Sequence, residues 1–243
     1  MHPPHQRGRK HPATPANVTS EAADVAQAPP ASEEPGSPRL SVELSGRYTS
    51  DYFFRGIVQK TDSFNLQPAV EVGFELIRNE SFSLSLLGGS WSNFSDDRPQ
   101  GASGDFGEYW YEHDTYIGVS ADIKRLSVAA VYTWYASPSS DFLEYEDLTF
   151  SVSYDDSGHW DDDGKFAINP SVSVALETKN AALGPDSGAW LGLGIEPTID
   201  LGATPFGPTT LSFPVAVGLS LDNYYQRADG TSDTFGYAEV GAK

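Results

Sequence analysis

The feature that most constrains this chain is an alternation of apolar and polar residues that begins at Leu40 and recurs to the C-terminus. Successive side chains of an extended strand point to opposite faces, so a period of two means a strand with one apolar and one polar face. Leu40, Val42, Leu44, Gly46 and Tyr48 share one parity; Ser41, Glu43, Ser45, Arg47 and Thr49 share the other. The parity carries on through Tyr52, Phe54 and Val58 against Asp51, Arg55 and Gln59, which predicts that the first strand continues there. Leu66, Val70, Val72, Phe74 and Leu76 then stand against Asn65, Gln67, Glu71 and Glu75. Later runs occupy 82–86, 114–119, 126–134, 148–154, 166–177, 191–200 and 211–221, with a shorter one opening at Phe235.

These runs make about ten strands, most about 10–14 residues long, against about 5–6 for an ordinary strand and about 9–11 for a bilayer crossing. The expected fold class is therefore all-β: an antiparallel, up-and-down transmembrane β-barrel. Arg78–Glu80 and Asp122–Arg125 read as tight turns, and 95–108 as a long polar loop. Partial alternation of short and long connections suits a membrane barrel, although Asp156–Gly164 falls where a short turn is due.

Alternation defines two faces without orienting them. A membrane barrel turns its apolar face to lipid and its polar face to the lumen, whereas a soluble barrel or sandwich does the reverse. Aromatics near strand ends favour the membrane sense, because amphipathic rings settle at the headgroup level. Trp91, Trp110, Trp134, Tyr135, Tyr154 and Tyr224 are the expected interface aromatics. The polar parity supplies the lumen candidates: Glu43, Arg47, Asp51, Arg55, Gln59, Glu71, Glu75, Asp114, Glu177, Glu196 and Asp200.

Composition narrows the function classes. A formal charge of -19 repels nucleic-acid phosphates, so no nucleic-acid partner is expected. The chain has no cysteine, which removes disulfides and thiolate metal sites. No stretch approaches the roughly 18 consecutive apolar residues of a membrane helix. Residues 1–39 are rich in Pro, Ala, Ser and Glu, cannot bury a core, and read as a disordered tail before a barrel domain at 40–243. His2, His5 and His11 in that tail have no fixed ligand geometry.

Ser45–Phe94 resembles the TorF-type porins, bacterial outer-membrane proteins. The likeness rests on Ser50, Asp51 and Tyr52, then Phe54, Arg55, Gly56, Ile57 and Gln59, then Pro68, Ala69, Val70 and Gly73, and on Gly89–Asn93. It implies a Gram-negative outer-membrane barrel. The chain departs from that family in showing no secretory signal and no terminal aromatic, ending instead Val240-Gly241-Ala242-Lys243. Its last run reads as stopping mid-strand, so the expectation is a C-terminally truncated domain with a parent of about twelve strands.

Arg55 reads either as a lumen charge that sets solute preference or as an internal ion-pair partner of Asp51, Glu71 or Glu75. The acidic run 154–165 fails the EF-hand pattern, because Asp161, Asp163 and Gly164 leave His159 and Pro170 at the first and last ligand positions. Glu112, His113, Asp114, Glu144 and Glu146 lack any accompanying nucleophile motif, so no catalytic residue, cofactor or metal is assigned. The expected function is passive: a narrow diffusion channel with an acidic, cation-favouring lumen, partnered by the lipid bilayer and by small solutes or cations. The alternatives are a non-conducting structural barrel and a soluble barrel that binds a small apolar ligand.

Overall fold

The computed structural model describes residues 39–97, 104–161, 164–205, 207–227 and 229–243; all but the last residue of the expected tail lies outside them. The strands are β1 (Leu40–Thr49), β2 (Tyr52–Phe54), β3 (Ile57–Lys60), β4 (Asn65–Asn79) and β5 (Phe82–Ser95). One helical turn, α1 (Phe106–Tyr109), leads into β6 (Trp110–Ile123), β7 (Leu126–Ala136), β8 (Tyr145–Tyr154), β9 (Phe166–Ala167) and β10 (Pro170–Lys179). Then come β11 (Ala189–Ile195), β12 (Thr198–Thr204), β13 (Gly207–Ser212), β14 (Val215–Asp222), β15 (Tyr225–Gln226), β16 (Ser232–Asp233) and β17 (Phe235–Val240).

Ten of these strands form one sheet in the order β1-β4-β5-β6-β7-β8-β10-β11-β14-β17, every neighbouring pair antiparallel. Order in space follows order in the chain, so this is an up-and-down sheet. The fold is all-β and antiparallel. Among the described residues β1 and β17 do not pair with each other.

Exposure orients the two faces. Leu44 is 77 % exposed, Val42 61 % and Ile117 58 %, while Asn65 and Asp147 are fully buried and Glu112 is 2 % exposed. The apolar parity thus faces outward and the polar parity inward, the inverse of a water-soluble core. Inward polar groups bond to one another, as burial favours: Asn93 Nδ2 donates to Asn65 Oδ1 at 3.2 Å, and Asn65 Nδ2 donates to Ser63 Oγ at 2.9 Å.

The first strand does not continue through Tyr52–Gln59 as alternation predicts. It stops at Thr49, and β2 and β3 form a separate hairpin. Alternation survives because a hairpin arm has the same period; what breaks the strand is the turn at Arg55-Gly56, which period alone does not reveal. Three later runs are also split. Pro197 separates β11 from β12 and Pro214 separates β13 from β14, since proline donates no ladder hydrogen bond. Asn169, at φ 50°, turns the chain between β9 and β10. The fragments β9, β12 and β13 form their own three-stranded sheet.

Candidate functional site

The hairpin β2–β3 lies against the polar face of the large sheet. Its tip is a two-residue turn with Phe54 paired to Ile57 and positive φ at both Arg55 (47°) and Gly56 (76°), the geometry of a type I′ hairpin. Gly56 meets this requirement without strain, and it also sits against Tyr237 of β17, where a Cβ would fall 2.5 Å from the ring. Arg55 does not meet it cheaply, because a left-handed arginine carries a steric penalty. Its side chain supplies the compensation.

The Arg55 guanidinium is buried and lies 2.8 Å from the Asp147 carboxylate on β8. It also donates to the Tyr224 hydroxyl at 3.3 Å and to Thr149 Oγ1 at 3.2 Å, and it stands over the rings of Phe54 and Trp190 at 4.7 and 4.9 Å. Burial opposes the cation, but the adjacent Asp147 charge prevails and holds the guanidinium pKa well above its ordinary value. Tyr225 donates its hydroxyl to the Arg55 carbonyl at 2.9 Å; burial pushes that phenol up to about 12, so it remains a neutral donor.

A second cation holds the base of the hairpin. Lys60 is buried, donates to Asp141 at 3.2 Å and to the Asp97 carbonyl at 2.9 Å, and stands 4.4 Å above the Tyr111 ring. Between the two cations, Tyr52 donates to Glu112 at 2.9 Å and Tyr111 donates to Gln59 at 2.5 Å. Aromatic side chains fill the remaining volume: Tyr52 packs on Trp91, and Phe54 packs edge-on against Tyr135, both at 5.4 Å.

These contacts measure the curvature of the sheet. Trp91 belongs to β5 and Tyr237 to β17, seven strand spacings apart in the sheet order. In a flat sheet that separation would be roughly 34 Å at about 4.8 Å per strand. One two-stranded hairpin touches both, so the sheet curls around it.

The lumen candidates fall into different places. Glu71, Glu75, Asp114 and Glu177 lie on the inward face: Glu71 accepts from Tyr116 at 3.1 Å, and Glu75 pairs with Arg78. Glu177 is occupied in holding the β10–β11 connection, accepting the Ala182 and Gly188 N–H groups at 2.6 Å each. Glu43 and Arg47 carry the inward parity on edge strand β1, where Glu43 is exposed. Arg55 and Gln59 belong to the hairpin, and Asp51 to its neck, accepting the Asp62 N–H at 3.0 Å. Arg55 pairs with neither Asp51, Glu71 nor Glu75. Its partner is Asp147, which turns to the same interior from a strand far along the chain.

Glu196 and Asp200 lie off the large sheet. Glu196 sits between β11 and β12 and pairs with Lys243 at 3.6 Å; Asp200 is exposed on β12. Pro197 removes this segment from the large sheet, so alternation misplaces both. Of the expected interface aromatics, Trp134 and Tyr154 carry the outward parity, Tyr154 at the short-turn end, and Trp110 stacks on Phe94 at 5.5 Å at the opposite end. Trp91, Tyr135 and Tyr224 face inward and pack around the hairpin instead. The hairpin supplies the apolar and cationic surface they cover.

Sequence reasoning overlooked Lys60, Tyr111, Tyr116, Asp147 and Thr149 as members of this constellation. Asp147 and Thr149 were available as polar-parity neighbours of Leu148. In the acidic run 154–165, Asp162 and Asp163 lie outside the described residues, and Asp156 is an internal anchor. Among the described residues no group of three or more His, Asp or Glu side chains is arranged to hold a metal ion. No protein-family model matches the chain, and no curated protein matches it.

Proposed function

We propose that this chain is a membrane-spanning β-barrel of porin type, of bacterial outer-membrane character, offering small cations a passive and narrow acidic path. One observation carries the reading: the outward parity of the large sheet is apolar and exposed, while the inward parity is polar and buried. Water would penalise that sense of burial; a hydrocarbon surround rewards it.

Three further features support it. Strands β4, β5 and β6 have 15, 14 and 14 residues, enough to cross a bilayer on a tilt. An outward aromatic band runs through Tyr48, Phe64, Phe94, Trp110, Tyr132 and Trp134 at the hairpin end of the strands, where a headgroup layer would sit.

The third feature is stagger. The register row from Tyr237 passes through Gly218, Gly192, Ser173, Ser151, Ala129, Ser120 and Ser85 to Glu75, whose N–H donates to the Arg39 carbonyl. Tyr237 itself lies at the middle of β17, against the hairpin tip at Gly56. A row that leaves the middle of β17 and reaches β1 only at its start fits the strand stagger that closing a barrel requires. The strand count is even, so β1 and β17 run antiparallel and suit pairing in a bilayer, where an open edge is not tolerated.

An apolar ligand inside a soluble barrel would need an apolar interior, and Asn65, Asn93, Glu112 and Asp147 do not provide one. The test is extraction and refolding in detergent. A heat-modifiable band in gels and cation-selective conductance in planar bilayers are expected. A monodisperse monomer without detergent would overturn the membrane reading, and a folded barrel without cation preference would overturn the acidic path.

A further inference from the structure

We infer that the hairpin β2–β3 is a built-in plug that narrows the polar interior at one end to a small-cation path and leaves a small-residue chamber open at the other; this rests on the pore reading above. The interior is lined unequally. Around the hairpin it carries Tyr52, Phe54, Tyr111, Tyr135, Tyr145 and Trp190, all at least nine-tenths buried. Beyond the hairpin tip, towards the short-turn end, the inward row is Ser85, Ser120, Ala129, Ser151 and Ser173. Side chains that short cannot fill the interior of a curled ten-stranded sheet, whereas the aromatic half is filled.

The manner of anchoring fits a plug and not an ordinary surface loop. The tip is fixed by Arg55 to Asp147 and by Gly56 against Tyr237, and the base by Lys60 to Asp141. Asp147 lies on β8 and Asp141 on the connection that leads into it, while Tyr52 packs on Trp91 of β5 and Gly56 on Tyr237 of β17, so the hairpin spans the interior and does not lie along one side. The left-handed arginine is tolerated at its tip because Asp147 requires a cation there.

The experiment trims the plug without unpicking its base. Tyr52 and Lys60 are register partners, so replacing residues 53–59 with Asn-Gly makes a two-residue hairpin at that point and keeps both anchors. Refolded into planar bilayers, the trimmed protein should conduct several-fold more than the native chain. Equal conductance from two heat-modifiable barrels would overturn the plug and leave the pore standing. Failure of the native chain to insert would instead overturn the pore reading.

A second measurement covers a trimmed protein that does not fold. The chain has no cysteine, so Ser151→Cys introduces a single thiol in the open half. In vesicles of uniform orientation, a membrane-impermeant thiol reagent should label it from the short-turn side and not from the hairpin side. Equal labelling from both sides would overturn the plug.

Discussion

The Arg55 guanidinium and the Asp147 carboxylate lie 2.8 Å apart with side-chain exposures of 4 % and 0 %, tying the tip of an internal hairpin to the middle of the large sheet. Removing one member leaves the other buried without its counter-charge. Arg55→Ala or Asp147→Asn should each cost about 3–5 kcal/mol, while the apolar double variant R55M/D147L should cost much less. Urea unfolding in detergent micelles, followed by intrinsic fluorescence, measures all three. Equal losses for the single and double variants would refute the pairing argument.

Tyr116 reaches Glu71 by lying across Gly89 on the strand between them. A Cβ at Gly89 would fall 2.5 Å from the Tyr116 hydroxyl and closer still to the Val70 carbonyl. Gly89→Val should therefore destabilise by about 3 kcal/mol, because backbone as well as side chain must shift. Tyr116→Phe keeps the packing and loses one hydrogen bond, which should cost about 1 kcal/mol. The same unfolding assay ranks the two, and a reversed order would be inconsistent with this geometry.

Val152 is 42 % exposed on the outward face of β8, and its neighbour Ser151 faces inward. For an exposed side chain in water, Val152→Lys would change stability by no more than about 0.5 kcal/mol. On a lipid-facing strand the same change should cost about 2–4 kcal/mol near the bilayer centre. Folding into lipid vesicles of native, Val152→Lys and Ser151→Lys proteins separates these cases. The outward lysine should be the costlier of the two.

Asp156 organises the connection between β8 and β10. Its carboxylate accepts the Trp160 indole N–H at 2.6 Å and the Ile168 and Asn169 N–H groups at 2.8 and 2.9 Å. Burial pushes its pKa up, but these donors outweigh it and hold the group below the ordinary carboxylate range. A depressed carboxylate contributes fully above its unfolded value, near about 3.9, and the contribution is lost as pH falls through the lower folded value. Hydrogen exchange at the Ile168 and Asn169 amides should thus show constant protection from neutral pH down to about 4, then a loss in stronger acid. Asp156→Asn should lower protection at neutral pH and abolish the acid transition.

Much of the architecture is legible in the chain because a strand's side-chain period is a local property. The alternation of Leu40–Tyr48 against Ser41–Thr49 has the same meaning in any context, and so do the tight turns at Arg78–Glu80 and Asp122–Arg125. The hairpin at Tyr52–Lys60 was not legible, since its arms keep the parity of the strand before it and differ only at the Arg55-Gly56 turn. Glu196 and Asp200 were misplaced for a related reason: Pro197 moves the chain to another sheet without disturbing the alternation.

By itself, then, the sequence determined that this protein is antiparallel β, that each long strand has one apolar and one polar face, and that the polar face is rich in carboxylates. Tertiary structure decided the rest. It turned the apolar face outward, folded one hairpin into the polar interior, and matched Arg55 to Asp147 and Lys60 to Asp141 across that space. The physical reason is range. Strand period and turn chemistry are set by neighbouring residues, whereas the sense of burial and the partner of a buried charge are set by which distant strands the curl of the sheet brings face to face.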